Sequence, residues 1–131
     1  SIFAHDLGKT VELDWERGFS YTTEGQLIGH VVRGAIWLQI KAAQASRVER
    51  LPGETLRILQ HILVSHHGLP EHGAAKIPAT PEAVFVSMLD NLDAKTQASI
   101  TAAKREFAGG GEWTDKVWAL DTKVYRTDPL V

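Results

Sequence analysis

The chain has 131 residues, 44% hydrophobic and 23% charged, with a net charge of −2, enough for one soluble domain with a buried core. Such a balance gives no basic field to gather nucleic acid, so a nucleic-acid partner would have to meet a local patch. Cysteine is absent, which excludes disulfides and thiolate metal sites and fits a reducing cytoplasm; no apolar run reaches the roughly 18 residues of a membrane span.

The first methionine is Met88 and the chain opens on Ser1-Ile2-Phe3-Ala4, which reads as the interior of a helix. A fragment of a longer protein, cut upstream of His5, is therefore expected. Residues 2 to 8 are read as the last turns of an apolar helix stopped by Gly8 in a left-handed conformation, with Lys9 just beyond and close to Asp6. Alternation over Val11 to Trp15, a turn at Glu16-Arg17-Gly18 and aromatic residues up to Thr22 predict a short hairpin or an irregular extended loop.

Thr23-Glu24-Gly25-Gln26 has the form of a capping box and starts a predicted helix that runs to about Arg47, with His30 near its beginning. Pro52 suits the first position of the next helix, whose stripe of Leu56, Leu59, Ile62 and Leu63 leads into His66-His67 and the stop at Gly68. A loop over residues 68 to 80 carries Glu71, His72 and Lys76. Thr80-Pro81-Glu82 is a strong start for a helix expected to reach about Phe107, with Val84, Phe85, Met88, Leu89 and Leu92 packing inward. Asp90 and Asp93 lie on neighbouring faces of it. Gly109-Gly110-Gly111 ends it, and Trp113 to Tyr125 is predicted as an extended tail or weak hairpin.

The polar outliers, His5-Asp6, His30, His66-His67 and Asp93, each stand near the end of an apolar helix. A helix bundle can aim such residues into one pocket. Imidazoles with carboxylates and no thiolate suit Mn, Fe, Co, Ni or Zn rather than calcium. Two such cations about 3.5–4 Å apart could clamp the attacking and leaving oxygens of a phosphoryl displacement. Each feature has a plainer reading. His5-Asp6 could be an ordinary helix-end pair, Lys9 could cap its helix, and His30 could be a satisfied histidine at a helix start. The doublet is harder to dismiss, because two imidazoles closing an apolar helix need partners if buried; adjacent helical residues diverge by about 100°, so both cannot point the same way unless the helix ends between them, and His66 is preferred as the ligand. His61 and His72 read as structural or loop residues, Lys104 and Arg105 as a solvated face, and the tryptophans 15, 37, 113 and 118 as core rather than base-stacking platforms.

Taken in order, His5-Asp6-Leu7-Gly8-Lys9, Glu24 to His30, Ser65-His66-His67-Gly68, Pro81-Glu82-Ala83 and Asp90-Asn91-Leu92-Asp93-Ala94-Lys95 resemble the motifs of the HD-domain metal-dependent phosphohydrolases. They are most similar to the branch of YhaM-type 3′-to-5′ exoribonucleases, over nearly the whole chain. The resemblance implies an all-α HD bundle of about four helices with a small irregular or β appendage, in a single domain over residues 1–131. It implies two divalent metals, manganese favoured, held by His5, Asp6, His30, His66 and Asp93, with Asp6 bridging. Lys9 would face the scissile phosphate, and His67 would bind phosphate or metal or support the ligands. The substrate implied is single-stranded RNA or another small phosphodiester in the cytoplasm, with homo-oligomers left open.

Two departures from that family pattern stand out: the helix that would carry a first histidine ahead of His5 is not in this sequence, and neither is an RNA-binding OB domain. Weak or partial metal occupancy is expected from the incomplete ligand set, and the chain by itself could be inactive. Other readings carried from the sequence are a nucleotide or cyclic-dinucleotide phosphohydrolase, a di-iron oxygenase on the same scaffold, and a non-catalytic binding module.

Overall fold

The computed structural model describes residues 2–14, 20–105 and 111–126. By its internal contacts the chain divides into two units, Ser1–Met88 and Leu89–Val131. No helix among the described residues is long and apolar enough to cross a membrane.

The first unit begins with a 3-10 turn at Ile2–Ala4 and a one-turn helix α1 at Lys9–Glu12. Gly8 is not the left-handed stop the sequence suggested: its φ is −60° and ψ −22°, and it leads into α1 instead of ending a helix. Its reason is contact. A Cβ there would lie 2.7 Å from the Cα of His30 and nearer still to that residue's carbonyl oxygen, so only a glycine lets the two backbones touch.

Strands β1 (Leu13–Asp14) and β2 (Ser20–Tyr21) pair antiparallel, which is the expected hairpin; its turn and Trp15 lie outside the described residues. Thr22 caps α2 (Thr23–Leu27): its hydroxyl accepts from Gly25 N–H at 2.9 Å and donates to the Val11 carbonyl at 2.7 Å. The cap is thus one residue earlier than the capping-box reading placed it. The single predicted helix is also two, because Gly29 has φ +74° and redirects the chain into α3 (Gly29–Ala45).

Helix α4 (Gly53–Ser65) has Pro52 at its cap position, one residue before the first helical position expected for it, and stops ahead of His66-His67; Gly68 is left-handed at φ +81°, as its reading as a stop requires. A 3-10 turn at Pro70–His72 follows. The Nε2 of His61 accepts from Ala79 N–H at 2.8 Å, which makes this histidine a tie for the loop. Helix α5 (Pro81–Lys104) starts on Thr80, whose hydroxyl accepts from Ala83 N–H at 3.2 Å; the predicted end at Phe107 lies outside the described residues.

The phase of α5 differs from the sequence reading. Ala83, Val86 and Ser87 are buried, whereas Phe85 is 60% and Met88 64% exposed, and Val84, Leu89 and Leu92 are exposed too. Ile62, Ala83 and Val86 form the core cluster, with Ile58 and Leu59 against it. The small side chain of Ala83 is what admits close approach there, and packing quality, not apolar count, sets which face turns inward.

The second unit holds the C-terminal part of α5 and a hairpin, β3 (Trp113–Val117) with β4 (Thr122–Tyr125), paired antiparallel with an irregularity between Trp113 and Lys116. Asp121 takes the left-handed turn position at φ 55°. Trp113 and Trp118 are exposed, Trp118 by 83%, so these two are surface residues and not core as the sequence suggested. Lys116 lies over the Trp118 ring at 4.9 Å. The molecule is mainly helical with two small hairpins, in line with the all-α expectation.

Candidate metal centre

Three local devices in the first unit bring imidazoles together. His5 and Asp6 precede α1, His30 opens α3, and His66-His67 closes α4. The helix ends before the doublet, at Ser65. Both rings of the doublet face the same region, their centroids 4.0 Å apart.

Asp6 is at the middle. Its Oδ1 lies 3.6 Å from His30 Nε2 and 3.7 Å from His66 Nε2, while its Oδ2 is 3.4 Å from His5 Nε2 and 2.8 Å from Lys9 Nζ. Burial pushes the Asp6 carboxyl up, but the Lys9 ammonium, bonded to its Oδ2, holds it below the usual carboxylate range. Asp6 is therefore an anion at neutral pH.

His66 is almost wholly buried. Its Nδ1 lies 2.7 Å from the Leu63 carbonyl, which can only accept, so Nδ1 carries the proton and Nε2 the lone pair. That Nε2 and the Oδ1 of Asp6 are buried without hydrogen-bond partners among the described residues. Two facing lone-pair donors left bare in a protein interior are costly. A cation between them removes the cost.

His30 and His67 complete the group, their Nε2 atoms 2.9 Å apart. Ligand atoms of His30, His66 and His67 all fall within 4.8 Å of one another, a compass suited to a transition metal with nitrogen ligands. Lys9, placed by its bond to Asp6, does not cap a helix end. An apolar cavity of about 220 Å³ lined by Ala4, Leu7, Trp37, Leu38, Leu59 and Leu63 holds none of these polar groups.

Asp93, expected to supply an acid from the long helix, is exposed; Asp90, three residues earlier, is half-buried. Both belong to the second unit. The residue that sequence reasoning missed is Glu12, 8% exposed. Its Oε2 is 2.8 Å from His30 Nδ1 and its Oε1 accepts from His30 N–H at 3.1 Å. Alternation over Val11 to Trp15 pointed only to an extended segment, and no local signal announces a partner eighteen residues away.

With that geometry in view, comparison with known proteins is informative. The 3′-5′ exoribonuclease YhaM of Bacillus licheniformis is 38% identical over 124 residues, covering 95% of this chain and 38% of the relative. Its counterparts in Shouchella clausii and Bacillus subtilis are 38% and 39% identical over the same length, covering 37% and 38% of those proteins. The chain is homologous to a segment of YhaM. It spans under two fifths of the length of these curated relatives. No family profile matches the chain, and no solved structure does.

Proposed function

We propose that this chain carries the metal-dependent phosphodiesterase site of a 3′-to-5′ exoribonuclease of the YhaM type, built on an HD-domain scaffold and acting on single-stranded RNA. The observation that carries the reading is the facing pair of bare, buried donors, Asp6 Oδ1 and His66 Nε2, 3.7 Å apart. Homology to proteins named as exoribonucleases supplies the substrate class.

His5, Asp6, His30, His66 and His67 would hold divalent metal, with manganese the first choice. The two acids on α5, Asp90 and Asp93, belong to the other unit and are not part of this set. Metal bound here supplies Lewis-acid charge at the phosphodiester and lowers the pKa of water.

The chain's own residues do the rest. Asp6, ionised at working pH, has one oxygen toward His30 and His66 and the other held by Lys9. Lys9 is a point cation on the accessible side, suited to offset negative charge that develops on the phosphate. The buried His66, fixed by the Leu63 carbonyl, keeps its free nitrogen aimed at the centre.

The test is a manganese-supplemented assay of the chain on 5′-labelled single-stranded RNA and on cyclic and linear dinucleotides, run beside the Bacillus subtilis relative. The reading predicts stepwise shortening of RNA from its 3′ end, abolished in Asp6→Ala. Cleavage of dinucleotides with no action on RNA would replace the substrate. Activity surviving Asp6→Ala would remove the site.

A further inference from the structure

Among the described residues, Glu12 is the buried carboxylate with no part in the site as set out so far. It is held from three directions. Thr22 N–H donates to its carbonyl at 2.9 Å, and Gly25 packs so closely that a Cβ there would lie 2.9 Å from the Glu12 Cγ. Gly29, left-handed, brings the first residues of α3 onto its carboxylate.

Both oxygens are used on one residue: Oε1 accepts from the His30 backbone N–H at 3.1 Å and Oε2 lies 2.8 Å from His30 Nδ1. Capping the start of α3 explains the first contact, since opening N–H groups of a helix need acceptors. It does not explain the second. A carboxylate can only accept, so Nδ1 bears the proton and the lone pair is left on Nε2, the atom 2.9 Å from His67 and 3.6 Å from Asp6.

We infer that Glu12 is a positioning residue, which fixes the ring angle and tautomer of His30 so that Nε2 is presented to the metal. This rests on the reading of His30 as a ligand. The two-point grip stops ring rotation, and the orientation of α1 against α3 transmits into the centre. Carboxylate-to-imidazole pairs of this kind raise ligand basicity as well as aligning it.

Glu12→Gln tests it with almost no change of shape. The amide has one acceptor oxygen for two donors. The backbone N–H cannot give up its proton, so the oxygen stays with it and the NH2 faces Nδ1. His30 must then accept at Nδ1 and carry its proton on Nε2, which closes the ligand atom.

Imidazole nitrogen–proton correlation spectra of the metal-free protein should show His30 protonated at Nδ1 in the wild type and at Nε2 in Glu12→Gln. Manganese affinity should fall about 10–100-fold in the variant, with far-ultraviolet circular dichroism unchanged. A wild-type spectrum with the proton on Nε2 overturns the inference, and that reading stands even if the variant fails to fold. An unchanged tautomer and unchanged affinity in a folded Glu12→Gln overturn it equally. A wild type with Nδ1–H on His30 that binds no divalent cation overturns the assignment of the metal centre, and not the tautomer that Glu12 sets.

Discussion

Asp6 is held by the Lys9 ammonium on one oxygen and faced by imidazole nitrogens on the other, and its lowered carboxyl pKa follows from the Lys9 ion pair. Because the folded value lies below the usual 3.8, its ionisation contributes stability that is fully present above 3.8 and is lost as pH falls toward the folded value. The thermal midpoint of the wild type should therefore approach that of Asp6→Asn as pH is lowered below about 4, measured in chelator. Lines that stay parallel would show that the carboxylate is not so held. Gly8 makes a second residue-level claim. Gly8→Ala must push His30 away, and should cost about 1–3 kcal/mol by denaturant titration, the range for overpacking a tight contact. It should also weaken metal binding, since the residue it displaces is one of the proposed ligands. A neutral substitution would mean that the two backbones can separate freely.

At the level of elements, the phase of α5 is open to a paired substitution. Ala83→Leu fills a fully buried position beside Ile62 and should cost about 1–3 kcal/mol. Phe85→Ser, on an exposed face, should change stability by about 0.5 kcal/mol or less. The reverse order would restore the inward face suggested by apolar periodicity. That contrast shows what a sequence can carry. Thr80-Pro81-Glu82 and Gly68 announce their helix ends because capping and left-handed turns depend on adjacent residues. The pairing of Leu13–Asp14 with Ser20–Tyr21 and the closing hairpin were each one of the two forms that alternation suggested. The phase of α5 was not, because Ala83 and Ser87 carry no hydrophobic signal and owe their burial to close neighbours, Ile62 of α4 for one and Gly68 for the other. Gly8 was misread and Gly25 passed over for a related cause: each is required by a neighbour distant in sequence, His30 for one and Glu12 for the other.

On the scale of the whole molecule, the centre draws on three separated segments of the first unit, and their meeting depends on the tertiary fold. Residue type gave the imidazoles away, since His5, His30, His66 and His67 stand out against apolar helices. Glu12 stayed hidden, because a glutamate is ordinary at the surface and only the fold shows this one buried. If these groups bind metal only when folded, manganese must raise the thermal midpoint by mass action, in step with the logarithm of its free concentration. The effect should vanish in His66→Ala.

The most direct measurement is a crystal of the chain soaked in saturating manganese, with anomalous difference density recorded at the manganese edge. The account predicts a peak within coordinating distance of Asp6 Oδ1 and His66 Nε2, close to His30 and His67. A difference map with no peak there, or with the metal held elsewhere, would contradict it.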